Sequence, residues 1–233
     1  MNPIDQIMPA QQLTMDLLPP PSFAREDFVL GGCNAMAADW VDRWPDWPGR
    51  IKGVVLYGPP ACGKSHLAAI WQTRSQAKSY TKIDDTSIYD LDDTPHMIWD
   101  HPMPGADWPE DLIFHLLNRL TEIDGSLLIL AHHPMSAVDW HIADVASRLK
   151  GLSSAAITTP DDEMLAALLH KHADDMGLAL DQDVVRYITS RMDRRFDAAH
   201  QIMVKLNEMA LATKKNVTVP LARDVLEHQL DLY

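Results

Sequence analysis

Eight consecutive residues constrain this chain more than any others: Gly58-Pro59-Pro60-Ala61-Cys62-Gly63-Lys64-Ser65. They read G-x-x-x-x-G-K-S, the spacing of a phosphate-binding loop. The apolar run Gly53-Val54-Val55-Leu56-Tyr57 before them predicts a buried parallel strand, and residues 65–71 after them predict a helix. Strand, glycine turn and helix in that order place backbone N–H groups and the positive end of a helix dipole around an anion. In such a loop Lys64 neutralises the outer phosphates of a nucleotide, and the Ser65 hydroxyl sits on Mg²⁺. The alternative is an ordinary glycine turn.

The chain has 233 residues, enough for one large α/β domain or a medium one with a small helical partner. No apolar run approaches the roughly 20 residues needed to span a bilayer. The N-terminus lacks a basic region followed by an apolar one, so no secretory signal is read there. The two cysteines, Cys33 and Cys62, show no metal-ligand spacing. A reduced, cytoplasmic setting is the expectation. The formal net charge is −13, and duplex binding depends on lysine and arginine displacing counterions. Strong direct DNA binding is therefore not expected. Arg191, Arg194 and Arg195 cluster, either as a local basic patch or as a solvated helix end.

Residues 1–22 read as an extended arm, with Pro3, Pro9 and the triplet Pro19-Pro20-Pro21. Inside it lies Gln12-Leu13-Thr14-Met15-Asp16-Leu17, an apolar cluster that either docks into a partner or folds back on the chain. Residues 23–34 carry apolar side chains and a Gly31-Gly32 turn, and a helix is expected over 35–44. After the phosphate loop, strands are expected at 79–83, 97–100, 127–131 and, weakly, 155–157. A helix is expected over 109–122, with Leu112, Leu116, Leu117 and Leu120 on one face. Alternating strands and helices predict a parallel five-stranded sheet with helices on both faces, an α/β domain over 23–157. At 158–162 the composition changes. Thr159 suits a helix cap and Pro160 its first position. From there helices alone are expected, over 160–176, 181–192, 194–213 and 219–230, making a small all-α bundle of 158–233.

A phosphate loop alone only holds a nucleotide; hydrolysis needs a strand-end acid and a positive charge at the γ-phosphate. Asp100 ends the third strand, where ligand groups of open parallel sheets collect, and is the candidate for Mg²⁺ or water. Its alternative is a turn-capping acid. Asp92 and Asp93 have no apolar strand leading into them. His101 stands where many related ATPases carry a second acid; a histidine there can still act as a base. His132 and His133 follow the fourth strand, as γ-phosphate contacts or as exposed loop residues. Arg148, between the fourth and fifth strands, either reaches a neighbouring molecule's nucleotide or makes a surface ion pair. Cys62 is either a thiol activated by Lys64 or a small residue that fits the turn.

Taken together these residues resemble the DnaA/Hda branch of the AAA+ ATPases, and within it the short DnaA-homologous regulators of Hda type in their alphaproteobacterial form. The resemblance runs over nearly the whole chain. The arm residues 12–17 are similar to the Q-L-x-L-x-L peptide with which Hda proteins bind the sliding clamp, the beta subunit of DNA polymerase III. This makes Gln12, Leu13, Met15 and Leu17 the clamp-binding residues. Phe28-Val29-Leu30-Gly31 and Asn34 resemble the segment that contacts adenine. Residues 58–67, with Lys64-Ser65-His66-Leu67, match the family's G-K-[ST]-H-L form. Residues 112–118 resemble the helix after the Walker B strand, and 144–149 the segment bearing the arginine finger, which maps onto Arg148. Residues 160 onward resemble the helical lid.

The resemblance implies an ADP or ATP site built from Phe28, Val29, Pro60, Ala61, Cys62, Gly63, Lys64, Ser65 and His66, with Mg²⁺ on Ser65 and Asp100. It implies negative regulation of replication initiation: the arm hangs the protein on the clamp, and Arg148 promotes ATP hydrolysis by DnaA. Three departures point to weak or absent intrinsic ATPase. His101 replaces the second Walker B acid. The polar sensor position falls on or near Leu130. The lid arginine falls on Asp197, with Arg194 or Arg195 one small shift away. Each change removes a γ-phosphate contact, so ADP held as a structural element is expected. On this resemblance to a regulator, no counterpart of DnaA's origin-reading domain is expected up to Tyr233. Head-to-tail packing of AAA+ proteins leaves a homo-oligomer open. Two rival functions remain: a self-sufficient ATPase that remodels or loads a replication protein, and a non-catalytic adaptor tethered to the clamp.

Overall fold

A computed structural model of the chain describes residues 23–100 and 109–230. The arm with Gln12, Leu13, Met15 and Leu17, together with His101, lies outside the described residues. Five strands are present: β1 (Lys52–Tyr57), β2 (Lys78–Tyr80), β3 (His96–Asp100), β4 (Ser126–Ala131) and β5 (Ser153–Ala156). They form one parallel sheet in the order β2-β3-β4-β1-β5. β4 is central and buried along its whole length, which is why its sequence after Ser126 is continuously apolar rather than alternating. The register aligns Leu56 of β1 and Asp100 of β3 with Leu130 of β4. The end of β1 that enters the phosphate loop and the acid ending β3 therefore share the carboxyl edge of the sheet.

Successive strand residues point to opposite faces, and the two cores divide accordingly. Val54, Leu56, Ile98, Leu128 and Leu130 pack under α1 (Ala35–Arg43) and α2 (Lys64–Ser75). Val55, Met97, Trp99, Leu127 and Ile129 pack under α4 (Glu110–Glu122) and α5 (Ala143–Lys150), with α3 (Asp85–Tyr89) beside α4. A third core joins α6 (Asp162–Asp175), α7 (Gln182–Thr189), α8 (Phe196–Thr213) and α9 (Val219–Leu230). The expected sheet with flanking helices, followed by an all-α bundle, is thus present. Among the described residues no helix is long and apolar enough to cross a membrane.

Several local expectations shift. β2 stops at Tyr80, because Asp84 opens α3: its carboxylate accepts the Ser87 N–H at 2.9 Å while Ser87 Oγ accepts the Asp84 N–H at 3.1 Å. Ile83, expected in the strand, is drawn into the core instead. On α4, Ile113 rather than Leu112 is fully buried alongside Leu116, Leu117 and Leu120. α6 is capped by Asp161, whose carboxylate accepts the Met164 N–H at 2.8 Å; Thr159 lies outside the helix. That carboxylate reaches the orphan third N–H of the first turn, as a cap must.

Candidate functional site

The turn from β1 into α2 is built from glycines that nothing larger can replace. A Cβ on Gly58 would lie 2.3 Å from the Ile157 carbonyl oxygen, and Gly63 has φ +95° with its missing Cβ 3.1 Å from the Phe28 ring. Gly63 caps α2, so the helix axis begins at Lys64 and its first N–H groups point into the turn. Lys64 is 3 % exposed; its ammonium donates to the carbonyls of Gly58 at 3.0 Å and Pro59 at 2.8 Å. Cys62 Sγ lies 3.5 Å from the same ammonium, and the thiol is buried. Pro60, Ala61 and Ser65 are exposed on the turn. A loop of this shape surrounds a phosphate with backbone donors and one fixed cation.

The segment before α1 closes over the loop. His66 Nε2 lies 3.1 Å from the Ala24 carbonyl oxygen, and its ring meets Phe23 and Phe28 edge-on at 5.4 and 5.2 Å. The buried Asn34 side chain donates to the Val29 carbonyl and accepts from the Gly31 N–H, both at 2.9 Å, which fixes the Val29 backbone. Between this segment and the helical bundle lies a cleft of about 640 Å³. That size suits a nucleotide. Phe28, Val29, Ala61, Cys62, Gly63 and His66 line one wall; Lys64 and Ser65 stand at the head of α2 beside it.

Of the opposite wall, only Asp197 was singled out from the sequence. α6 contributes Met164, Leu168, Lys171, His172 and Asp175, and α8 contributes Phe196, Asp197 and His200. The α6 residues fall on one helical face, a spacing legible in the sequence once that face is known to be open. Lys171 pairs with Asp175 at 2.7 Å. Burial, aided by His200 and Lys171 and opposed by Asp175, pushes the His172 ring down to about 4. Of the three residues considered for the lid position, Asp197 lines the cleft, and a hydrogen bond from Arg195 holds its carboxyl below the usual range. Arg194 turns instead to Asp162 at 2.9 Å and does not line the cleft.

Asp100 ends β3 at the same sheet edge, with one carboxylate oxygen buried. With the Ser65 hydroxyl it offers hard oxygen donors of the kind Mg²⁺ takes in small number beside phosphates. Among the described residues no group of three or more His, Cys, Asp or Glu side chains is gathered as a metal cage. Leu130 is 1 % exposed and belongs to the core, so no polar sensor stands at that position. His132 is half-buried and His133 exposed just after β4.

Arg148 is not brought to the cleft. It lies on α5, which packs on the opposite face of the sheet. Its Nε pairs with Asp144 at 2.7 Å, its Nη1 donates to Asn118 Oδ1 at 2.7 Å, and its guanidinium lies 5.4 Å from the centre of the Phe114 ring. Nη2 has no partner among the described residues.

Comparison with known proteins agrees with this fold. The family model described as the Hda lid domain matches residues 161–226. Chromosomal replication initiator protein DnaA of Campylobacter curvus is 22 % identical over 228 residues, covering 88 % of this chain and 52 % of that protein. DnaA of Wolinella succinogenes is 22 % identical over 232 residues, covering 90 % of this chain and 53 % of its own length. The chain thus spans about half the length of the curated relatives it matches. Domain III of Thermotoga maritima DnaA superposes with a TM-score of 0.72 at 17 % identity, covering 90 % of this chain and 97 % of that one. A DnaA bound to AMPPCP and single-stranded DNA gives 0.66 at 15 % identity, covering 85 % of this chain and 70 % of its own.

Proposed function

Because the chain is a AAA+ protein of the DnaA/Hda family, we propose that it regulates replication initiation by holding an adenine nucleotide in its own cleft while offering Arg148 to the nucleotide of DnaA. The separation of the two groups carries this reading: the phosphate loop opens into the cleft, whereas Arg148 stands on α5 across the sheet, its Nη2 without a partner among the described residues. An arginine that cannot serve its own site is suited to serve another molecule's.

Within the chain, the N–H groups at the head of α2 and the Lys64 ammonium bind the phosphates, and the Phe28–Val29 segment and His66 enclose the base end. When bound, Mg²⁺ supplies charge neutralisation between phosphate oxygens, and Ser65 and Asp100 are the residues that would hold it. The bundle wall presents Asp197 rather than an arginine, and Leu130 is core. Neither contributes positive charge at a γ-phosphate, so ADP is the favoured occupant and intrinsic hydrolysis is slow. The structural neighbours include Aquifex aeolicus DnaA bound to AMPPCP, which supports an adenine nucleotide here as well.

Toward the partner, the Arg148 guanidinium stabilises negative charge that develops on the transferring phosphoryl group. Such fingers raise rates on the order of 10³–10⁵ in GTPases. The arm motif at Gln12, Leu13, Met15 and Leu17 tethers the chain to the sliding clamp and raises its local concentration near DnaA. The test is hydrolysis of DnaA-bound ATP in the presence of clamp-loaded DNA. Arg148→Ala should abolish the stimulation while nucleotide and clamp binding persist. Stimulation undiminished by that substitution, with binding intact, would leave an adaptor rather than a finger.

A further inference from the structure

Three residues of α4 stand four apart and face α5: Glu110, Phe114 and Asn118. At that spacing they share one face of the helix. Glu110, 7 % exposed, accepts the backbone N–H groups of His141 at 2.9 Å and Ile142 at 2.6 Å, and its carboxylate also meets the His141 ring at 2.9 Å. Ile142 is the residue that caps α5, so Glu110 fixes where that helix begins. Burial by itself would push the Glu110 carboxyl up; the bonds from His141 and Ile142 outweigh it, and the group stays ionised. One turn along, Phe114 lies beneath the Arg148 guanidinium, and one turn further Asn118 accepts from Nη1.

We propose that this face of α4 is the positioning element of the arginine finger, with Asn118 the positioning residue. The inference rests on Arg148 acting in trans. Asn118 is suited to the task because its amide oxygen is neutral: it fixes the plane of the guanidinium without cancelling the charge meant for a phosphate. Asp144 does cancel charge, but it is 48 % exposed and lies at Nε, so water screens it and it leaves Nη2 unengaged by any of the described residues. A long arginine side chain loses rotamer freedom when it is fixed. Held in place beforehand by Phe114 and Asn118, it need not lose that freedom on docking.

Asn118→Ala, compared with Arg148→Ala and the parent chain, tests this. The readouts are the maximal rate of DnaA-bound ATP hydrolysis, the concentration of this chain giving half that rate, and the ¹⁵N signals of the Arg148 guanidinium. Asn118→Ala should lower the maximal rate about tenfold, the scale of one hydrogen bond to a charged group. The half-saturating concentration should hold within about twofold, since the docking surface is kept. The Arg148 Nη signals, separate when one Nη is anchored, should merge as the group rotates. Asn118→Asp, which keeps the acceptor oxygen in place, should keep them separate. Loss of stimulation with Arg148→Ala but a full maximal rate with Asn118→Ala overturns the positioning role alone. Full stimulation by Arg148→Ala overturns the finger itself and the positioning role with it.

Discussion

Replacing His172 by phenylalanine should flatten the acid side of this protein's stability curve. The imidazole is 20 % exposed on the bundle wall of the cleft, with its ring centre 5.0 Å from that of His200. Burial first, then His200 and Lys171, move it from an ordinary value of 6.5 to about 4. The unfolded chain takes up this proton near the ordinary value, and the folded chain takes it up only near the lowered one. The contribution is therefore complete above the unfolded value and is lost as the pH falls toward the folded one. Each unit in that window is worth about 1.4 kcal/mol. Going from about pH 7.5 to about pH 5 should cost the parent about 2 kcal/mol through this ring alone. This is an upper value, because water at the exposed fifth of the ring screens the charge. His96 is lowered in the same direction, by burial and then Lys52, but it is present in both proteins and cancels. Phenylalanine keeps an aromatic ring against His200 and removes the proton. Urea unfolding at the two pH values measures the difference. If parent and variant lose the same stability to within roughly 0.5 kcal/mol, the extrapolation error, His172 titrates as in water and the cleft wall is not the dry surface described.

Two other outcomes follow from the nucleotide site and the arm. ADP at a hundred times its Kd should stabilise the parent by about 2.7 kcal/mol and raise its Tm by roughly 5–10 °C. Lys64→Ala should lose that ligand-dependent rise; a rise of the same size in the variant would place the phosphates elsewhere. Replacing Gln12 and Leu17 together by alanine should abolish retention on immobilised sliding clamp without moving the melting curve, and unchanged retention would remove the arm assignment.

The parts of the fold that were legible in the sequence are those fixed by local pattern. The phosphate loop is a contiguous turn whose glycines and lysine act through backbone geometry, so spacing alone places it. Strands β1 and β4 are legible as the continuous apolar runs at Val54 to Leu56 and Leu127 to Leu130, as expected of parallel strands covered on both faces, and every residue of β4 is buried. What was missed is tertiary. α5 begins after its cap residue Ile142, which makes no side-chain cap; its start is held by Glu110, distant in sequence, and no local signal announces it. α3 did carry a signal, the reciprocal Asp84–Ser87 cap, in a segment too short to show periodicity. The α6 side of the cleft escaped because Lys171, His172 and Asp175 look like the solvated side of an ordinary amphipathic helix until α8 and the Phe28 segment are set opposite. Asp161 rather than Thr159 caps α6 for a similar reason: both suit the role, and only the backbone path selects between them.

The proposed division of labour between the two nucleotide sites is tested most directly by asking whose phosphate is released. ATP labelled at its γ-phosphate is placed on DnaA while this chain carries unlabelled nucleotide, and the labels are then exchanged, with clamp-loaded DNA present each time. Release of label from DnaA that requires Arg148, with little release when the label is on this chain, is the predicted result. Rapid release from this chain's own nucleotide, lost on Lys64→Ala and indifferent to Arg148→Ala, would contradict the account.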